Sequence, residues 1–281
     1  MSNLISIRNA SFAYWKHEPE LPKAIKKRGL DDLNIVFDNL TLNLPAGIVS
    51  ILGENGIGKS TLLLLMGARL FPAQGQILIA DRDSRDFSEA LSDPAVEEER
   101  NRLVSFVFQN MEFESEEKLG TLLDIVQSQN PHIRRGKSTL QELPQALDIQ
   151  SLLHRRTQEL SKGELQRAVI ALAISYGSRI LIMDEPVFAL EEHHKKQVFL
   201  YLREVCSKTG TSLYYTAHDI DICREYADTM LLLYQDQNYK LGAPHEVCTR
   251  ENLEEAYRVP IATLYQKEHL YRDMLLKKSG A

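Results

Sequence analysis

The chain has 281 residues, enough for one large α/β domain, of which 43% are hydrophobic and 26% charged. This composition excludes a disordered, collagen-like or disulfide-scaffold protein, and the net charge of −6 argues against a dedicated nucleic-acid binder. The 3 cysteines are far apart in the sequence, as is typical of a reducing compartment. No apolar run reaches the ~20 residues that span a bilayer. We therefore expect a cytoplasmic protein with no nucleic-acid partner.

Alternating apolar and polar residues predict two strands near the N-terminus, over residues 4–14 and 35–44. The segment between them, residues 15–32, is rich in charge and proline and is interpreted as a surface loop. A continuous apolar run at 48–52 predicts a third strand that is buried on both faces. A glycine-rich turn follows this strand and leads into a helix that opens at 60–66.

Later apolar segments alternate with helical patterns, which predicts a parallel sheet. Residues 81–102 are dominated by charge and are predicted to be an exposed excursion, whereas residues 110–175 are predicted to be mostly helical, with breaks near residues 130–131 and 135–136. The strands predicted after the glycine-rich turn cover residues 76–80, 103–108, 180–183, 212–216 and 230–234.

The most specific motif is a match to G-x-x-x-x-G-K-[ST] directly after the buried strand, and it reads Gly53-Glu54-Asn55-Gly56-Ile57-Gly58-Lys59-Ser60. Glycines let such a loop wrap tightly, so that its backbone N–H groups point inward and cradle a phosphate at the helix N-terminus. Lys59 supplies a positive charge to the β- and γ-phosphates, and Ser60 supplies a hydroxyl for Mg²⁺. The motif predicts binding of a nucleotide through its phosphates.

Two acids end the apolar strand at residues 180–183. Ligand sites of α/β proteins lie at the carboxyl ends of parallel strands, so these acids are expected to face the same ligand as the glycine-rich loop. We expect Asp184 to hold Mg²⁺, and Glu185 to face the γ-phosphate and to polarise the attacking water as general base.

With these motifs the chain resembles the ABC-type ATPases, the nucleotide-binding subunits of ATP-binding-cassette systems, over about residues 4–260. The segment Leu160-Ser161-Lys162-Gly163-Glu164 is similar to the Leu-Ser-Gly-Gly-Gln signature of that family. The resemblance implies that Ser161 and Gly163 contact the γ-phosphate of an ATP bound by a partner subunit. Lys162 departs from the signature and adds bulk that is expected to slow turnover.

The resemblance implies roles for further residues. Gln109 is expected to contact Mg²⁺ and water, His218 to contact the γ-phosphate, and Tyr14 to stack on adenine, with Trp15 as the alternate. The implied catalytic residues are Glu185, His218 and Gln109, and the implied Mg²⁺ ligands are Ser60, Gln109 and Asp184. The implied nucleotide-binding residues are Tyr14, Gly53, Glu54, Asn55, Gly56, Ile57, Gly58, Lys59, Ser60, Thr61, Ser161 and Gly163.

The fold class implied by the resemblance is α/β: a P-loop NTPase core with a mainly parallel sheet, an N-terminal antiparallel β subdomain and an inserted α-helical subdomain. The expected domains are a single ABC ATPase domain over residues 1–260, with its helical subdomain at about 110–175, and a C-terminal helical extension over 261–281.

In this family two cassettes sandwich two ATP molecules, so a second ABC ATPase subunit is the implied partner. A homodimer is favoured. The segment Phe188-Ala189-Leu190-Glu191 stands where Ser-Ala-Leu-Asp is usual, which leaves a heterodimer open.

Two functions follow from the resemblance. The first is the ATP-hydrolysing subunit of a membrane transporter with separate transmembrane permease subunits, located in the cytoplasm at the inner face of the membrane. Residues 241–260 resemble the ATPases of siderophore, haem or cobalamin uptake, which indicates import of a metal chelate. The alternative is a soluble ABC ATPase for cofactor assembly or regulation, and a weakly hydrolysing subunit is a third possibility. ATP and Mg²⁺ are the implied cofactors in each case.

Overall fold

The computed structural model describes residues 3–15, 33–109, 111, 113–129 and 133–264, and for residues 133–139 it describes the backbone only. The surface loop predicted after Trp15 lies outside the described residues, as does most of the C-terminal extension predicted over residues 261–281.

This part of the chain forms ten strands and nine α-helices. The strands are β1 (Asn3–Trp15), β2 (Leu33–Pro45), β3 (Ile48–Leu52), β4 (Gln74–Ile79), β5 (Arg82–Asp83), β6 (Val104–Val107), β7 (Ile180–Asp184), β8 (Ser212–Thr216), β9 (Thr229–Leu233) and β10 (Tyr239–Gly242). The helices are α1 (Lys59–Met66), α2 (Pro94–Leu103), α3 (Leu119–Ser128), α4 (Ile133–Ala146), α5 (Lys162–Tyr176), α6 (Glu192–Thr209), α7 (Ile220–Tyr226), α8 (Pro244–Val247) and α9 (Arg250–Tyr257).

The N-terminal strands form a four-stranded antiparallel sheet in the order β2-β1-β4-β5. Apolar residues alternate along β1, so that Ile5 and Ile7 face the core, where they pair with Leu44 and Leu42 of β2. These side chains pack in one cluster with Leu62 of α1. The two N-terminal strands predicted from the alternation are therefore confirmed.

The second sheet has six strands in the order β10-β9-β3-β8-β7-β6. Five of them are parallel, and only β10 at the edge is antiparallel. Every residue of β3, β7 and β8 is buried, because helices cover both faces of the parallel part. The predicted α/β class, with a mainly parallel sheet beside an antiparallel one, is confirmed.

Three of the helices, α3, α4 and α5, lie between β6 and β7 in the sequence. Apolar side chains of α3 and α5 belong to the same buried cluster as β7, including Leu119, Leu123 and Ile170. The break predicted near residues 135–136 is wrong, because α4 continues through both positions. No helix in the described ranges combines the length and the apolar character needed to cross a bilayer. The bounds given for the domains stay a prediction.

The exposed excursion predicted over residues 81–102 is wrong in part. Pro94 at the first turn and the Asp93 side chain, which accepts a hydrogen bond from the backbone N–H of Ala95, start α2 within this charged segment. Phe87 is buried below the Arg82 guanidinium, and Arg100 is only 3% exposed. The prediction of an exposed segment was based on its high charge. Charge is a poor guide to exposure for arginine, because this residue can bury its apolar stem.

Candidate active site

The glycine-rich loop, residues 53–60, joins the end of β3 to the start of α1. Gly53, Gly56 and Gly58 have φ angles of 147°, 82° and 105°, in a region that side chains rarely adopt. At Gly58 a Cβ atom would lie 2.6 Å from Cγ1 of Val36 in β2. The loop therefore needs glycine both for its backbone conformation and for its close approach to β2. We refer to residues 53–60 as the P-loop.

Lys59 folds back over the P-loop. Its Nζ donates hydrogen bonds to the carbonyl oxygens of Gly53 at 2.7 Å and Glu54 at 3.1 Å, and the residue is 8% exposed. Burial lowers the pKa of Lys59, and the nearby carboxylates of Glu185 and Asp184 partly oppose this shift. The lysine charge is thus placed between the P-loop and the two acids.

The two acids at the end of β7 share one hydroxyl. Thr216 at the end of β8 donates from Oγ1 to Oδ1 of Asp184 at 2.5 Å, and the same Oγ1 accepts a hydrogen bond from the Glu185 backbone N–H at 3.0 Å. Glu185 has a φ angle of 49°, which is unusual for a residue other than glycine and is typical of strain at functional sites. Thr216 therefore holds the carboxylate of Asp184 and the backbone of Glu185.

The Glu185 carboxylate lies between two predicted catalytic residues. Gln109 Nε2 donates to Oε2 of Glu185 at 2.7 Å, and His218 Nε2 lies 2.6 Å from Oε1. These three residues follow β6, β7 and β8, which are neighbours in the sheet, so their side chains meet at one edge. Both oxygens of this carboxylate are thus held by neighbouring side chains, and the role of Glu185 as general base stays a prediction.

Tyr14 lies beside the start of α1. Its hydroxyl is 3.3 Å from Oγ1 of Thr61, its ring packs edge-on against Phe12, and the residue is 39% exposed. Trp15, the alternate aromatic, is also exposed. The structure thus places an accessible aromatic ring next to the P-loop helix, and its contact with adenine stays a prediction.

Ser161 and Gly163 stand at the start of α5. Ser161 caps the helix: its N–H donates to Glu164 Oε2 at 2.7 Å, and its Oγ accepts from the Glu164 N–H at 3.4 Å. The hydrogen bond from the Ser161 backbone lowers the pKa of Glu164. A Cβ atom on Gly163 would lie 3.4 Å from the Ala189 carbonyl oxygen. The signature segment therefore lies against the residues that follow Glu185, and its described hydrogen bonds are not with the P-loop.

Several residues of the site were not found from the sequence. Thr216 was only assigned to a strand, although its position at the carboxyl end of a buried strand was a usable signal. Tyr257 stands in none of the motifs, yet its hydroxyl accepts a hydrogen bond from the Gly53 N–H at 3.3 Å. No local pattern connects residues so far apart in the sequence.

Ser60, Gln109 and Asp184 each offer an oxygen atom, the ligand type that Mg²⁺ prefers. Thr216 directs one oxygen of Asp184, so the other carboxylate oxygen can face a ligand. The residues therefore fit a magnesium ion by their chemistry, and their assignment as ligands stays a prediction.

A P-loop between a buried strand and a helix, with two acids ending a parallel strand of the same sheet, defines a P-loop nucleotide-binding domain. A family model described as ABC transporter matches residues 37–188, which is more than half of the chain. This chain belongs to the ABC transporter family.

Known proteins agree with this assignment. The chain is similar to the sulfate/thiosulfate import ATP-binding protein CysA of Brucella melitensis, with 31% identity over 223 residues, 76% of this chain and 58% of that protein. It is also similar to the hemin import ATP-binding protein HmuV of Hahella chejuensis, with 32% identity over 229 residues, 79% of this chain and 85% of that protein. The chain thus spans less than two thirds of the CysA protein and most of the HmuV protein.

Among solved structures, the chain is similar to an ATP-binding cassette in a dimeric post-hydrolysis state bound to ADP and Pi. The TM-score is 0.68 at 20% identity, and the match covers 85% of this chain and 98% of that one. At this identity the likeness concerns the fold.

Proposed function

We propose that this chain is the ATP-binding and ATP-hydrolysing subunit of a membrane ABC transporter. The observation that carries the ATPase proposal is the Glu185 carboxylate, held between Gln109 and His218 beside the buried P-loop lysine. The import ATP-binding relatives support the transport role.

In the proposed reaction, P-loop N–H groups and Lys59 bind the β- and γ-phosphates and offset their charge. Glu185 orients the attacking water and takes its proton at a carboxylate oxygen as the water oxygen bonds to the γ-phosphorus. The bond from that phosphorus to the ADP oxygen breaks, and ADP and phosphate are released. His218 is positioned to hold Glu185 and to donate to the γ-phosphate oxygens.

Mg²⁺ is proposed to bind through Ser60 and Asp184, with Gln109 as a further oxygen ligand. When bound, the ion supplies charge neutralisation for the phosphates. The hydrogen bond from Thr216 to Asp184 supports this assignment, because it orients the carboxylate toward one side.

The proposed assembly is a homodimer that holds two ATP molecules between its subunits. Ser161 and Gly163 have no described bond to their own P-loop and lie at an exposed helix start, which suits contact with the nucleotide of a second copy. Separate transmembrane permease subunits are the proposed second partner, and they would place the chain peripherally at the inner face of the membrane.

A metal chelate is the proposed cargo class. The chain spans 85% of the HmuV relative but 58% of the CysA relative, so the overall organisation is closer to the hemin importer. Co-purification with a protein of several membrane spans supports the transport role. Full activity in a detergent-free soluble fraction, without such a protein, favours the alternative of a soluble ABC ATPase.

The substitution Glu185→Gln tests the ATPase proposal. The amide keeps the size of the side chain but cannot take the proton, so we expect steady-state ATP hydrolysis to fall by about 10²-fold or more. ATP affinity, measured by isothermal titration calorimetry, is expected to stay near the wild-type value.

Glu204→Gln is the matched control, because Glu204 is half-buried on α6 and pairs with Lys208 far along the helix from the site. This variant is expected to hydrolyse ATP at the wild-type rate. Near-normal hydrolysis by Glu185→Gln would remove Glu185 from the role of general base.

A further inference from the structure

The P-loop borders a cleft of about 310 Å³ that is also lined by β2 and by the turn between β9 and β10. The later residues of the loop are packed, because Ile57 lies against the apolar cluster of the antiparallel sheet and Gly58 closely approaches Val36. The first residues, Gly53 and Glu54, are held instead by a small number of directed contacts.

Those contacts come from the C-terminal part of the chain. The Gly53 N–H donates to the Tyr257 hydroxyl at 3.3 Å, across 204 residues of sequence. Gln235 Nε2 donates to the Glu54 carboxylate, and a Cβ atom on Gly53 would lie only 3.0 Å from the Leu233 carbonyl oxygen. The last turn of α9 and the end of β9 thus fix the first two residues of the P-loop.

Tyr257 is itself held rigidly. It is the last residue of α9, whose Leu253 and Ala256 are buried in the main apolar cluster, and its own ring packs against that cluster. The hydroxyl therefore reaches Gly53 from a fixed ring, and the hydrogen bond transmits the position of α9 to the P-loop backbone.

The orientation of Gly53 matters for nucleotide binding because its carbonyl oxygen accepts the 2.7 Å hydrogen bond from Lys59 Nζ. A loop whose N–H groups and lysine are already oriented binds phosphate more tightly than one that must be ordered on binding. Loss of the contact from Tyr257 would leave both Gly53 and the lysine less constrained.

We propose that Tyr257 is a positioning residue for nucleotide binding, which orders the P-loop from the C-terminal helix through its hydrogen bond to Gly53. The inference rests on the proposed function of the P-loop as an ATP site. It adds a residue outside the motifs that bind phosphate, and it assigns a role in the site to α9.

The test is Tyr257→Phe, which removes one oxygen and keeps the ring in the core. Loss of one hydrogen bond predicts an ATP dissociation constant about three- to tenfold higher by titration calorimetry. KM for ATP should rise by a similar factor with kcat nearly unchanged. Hydrogen exchange should increase in peptides that cover residues 50–60 and stay the same elsewhere.

Tyr239→Phe is the matched control. Its hydroxyl also makes a hydrogen bond with the backbone, but as the donor: it donates to the Thr41 carbonyl oxygen at 2.9 Å from the exposed strand β10. We expect this variant to bind ATP as the wild type does. An equal loss of affinity in both variants, or unchanged ATP affinity in Tyr257→Phe, overturns the inference.

Hydrogen exchange of the wild-type protein decides the question if Tyr257→Phe does not fold. The Gly53 amide should be protected by its bond to the Tyr257 hydroxyl, and exchange as fast as that of an exposed amide overturns the inference. Lys59→Ala separates the two proposals. Unchanged ATP affinity in Lys59→Ala rejects the ATP site itself, whereas a loss there with normal binding in Tyr257→Phe rejects only the role of Tyr257.

Discussion

Glu164 illustrates how a single departure from a family motif changes local chemistry. The family signature usually has glutamine here, which can also close a capping box with Ser161, whereas the carboxylate both closes this box and adds a charge that pairs with Arg155 at 3.4 Å. A negative charge in the first turn of α5 also interacts favourably with the helix dipole. The substitution therefore stabilises the helix start that carries the predicted signature residues.

We expect Glu164→Gln to lower the free energy of unfolding by about 0.5–1 kcal/mol at pH 7. The pKa of Glu164 is lowered in the folded protein, so the contribution of its charge is present above the ordinary pKa and is lost as the pH falls through the lowered value. The difference between variant and wild type should therefore shrink toward pH 4. Urea unfolding at pH 7 and pH 4 measures it.

Glu251→Gln provides the comparison, because Glu251 is exposed in the first turn of α9. Its effect at pH 7 should be smaller than that of Glu164→Gln. A difference between Glu164→Gln and wild type that grows as the pH is lowered would contradict a stabilising role of the Glu164 charge.

Among single site residues, the sequence analysis predicted those that belong to a continuous sequence motif. The P-loop residues follow from their spacing, and the acids follow from the end of an apolar strand. Tyr257 and Gln235 could not be predicted in this way, because their contacts with Gly53 and Glu54 depend on how distant segments fold together.

The junction of the P-loop and α1 is the element whose local geometry is most restrictive. At Gly58 a side chain meets two obstacles: the φ angle of 105° and a Cβ contact of 2.6 Å with Val36. We expect Gly58→Ala to lower the free energy of unfolding by about 2–4 kcal/mol, measured by urea unfolding.

Gly210→Ala measures how much of this loss of stability comes from the positive φ angle alone, without a steric contact. Gly210 has a φ angle of 75° at the end of α6, and a Cβ atom there has no neighbour within 4 Å. Its substitution should destabilise by about 1 kcal/mol. Equal losses for the two variants would show that contact with β2 does not constrain the P-loop.

The predicted elements agree with the structure where hydrophobic periodicity is strong. The buried strands β3, β7 and β8 were each located within a residue or two of their observed bounds. Their order in the sheet could not be predicted, since periodicity says which residues are buried but not which strands are neighbours. The contact of Gln109 and His218 with Glu185 depends on that order. The strand β10 was missed because its four residues are too few to show an alternating pattern, and the helix α2 was missed because charged residues dominate it.

At the scale of the whole molecule, the proposed sandwich predicts a change of mass. Glu185→Gln with saturating MgATP is expected to form a dimer, because ATP bridges the P-loop of one copy and the signature segment of the other and is not removed by hydrolysis. Light scattering after gel filtration should give twice the chain mass of 32.1 kDa. Lys59→Ala under the same conditions should give the mass of one chain. A single-chain mass for Glu185→Gln at saturating MgATP would contradict the sandwich.

The Thr216 hydroxyl has a consequence for how this protein can diverge. It donates to Asp184 and accepts from the backbone of Glu185, so the proposed metal ligand and the proposed base share one support on β8. A substitution of Thr216 during evolution would therefore remove a hydrogen bond from both acids at once. Independent tuning of water activation therefore has to come from mutations elsewhere, such as those around His218, whose described ion pair is with Glu185.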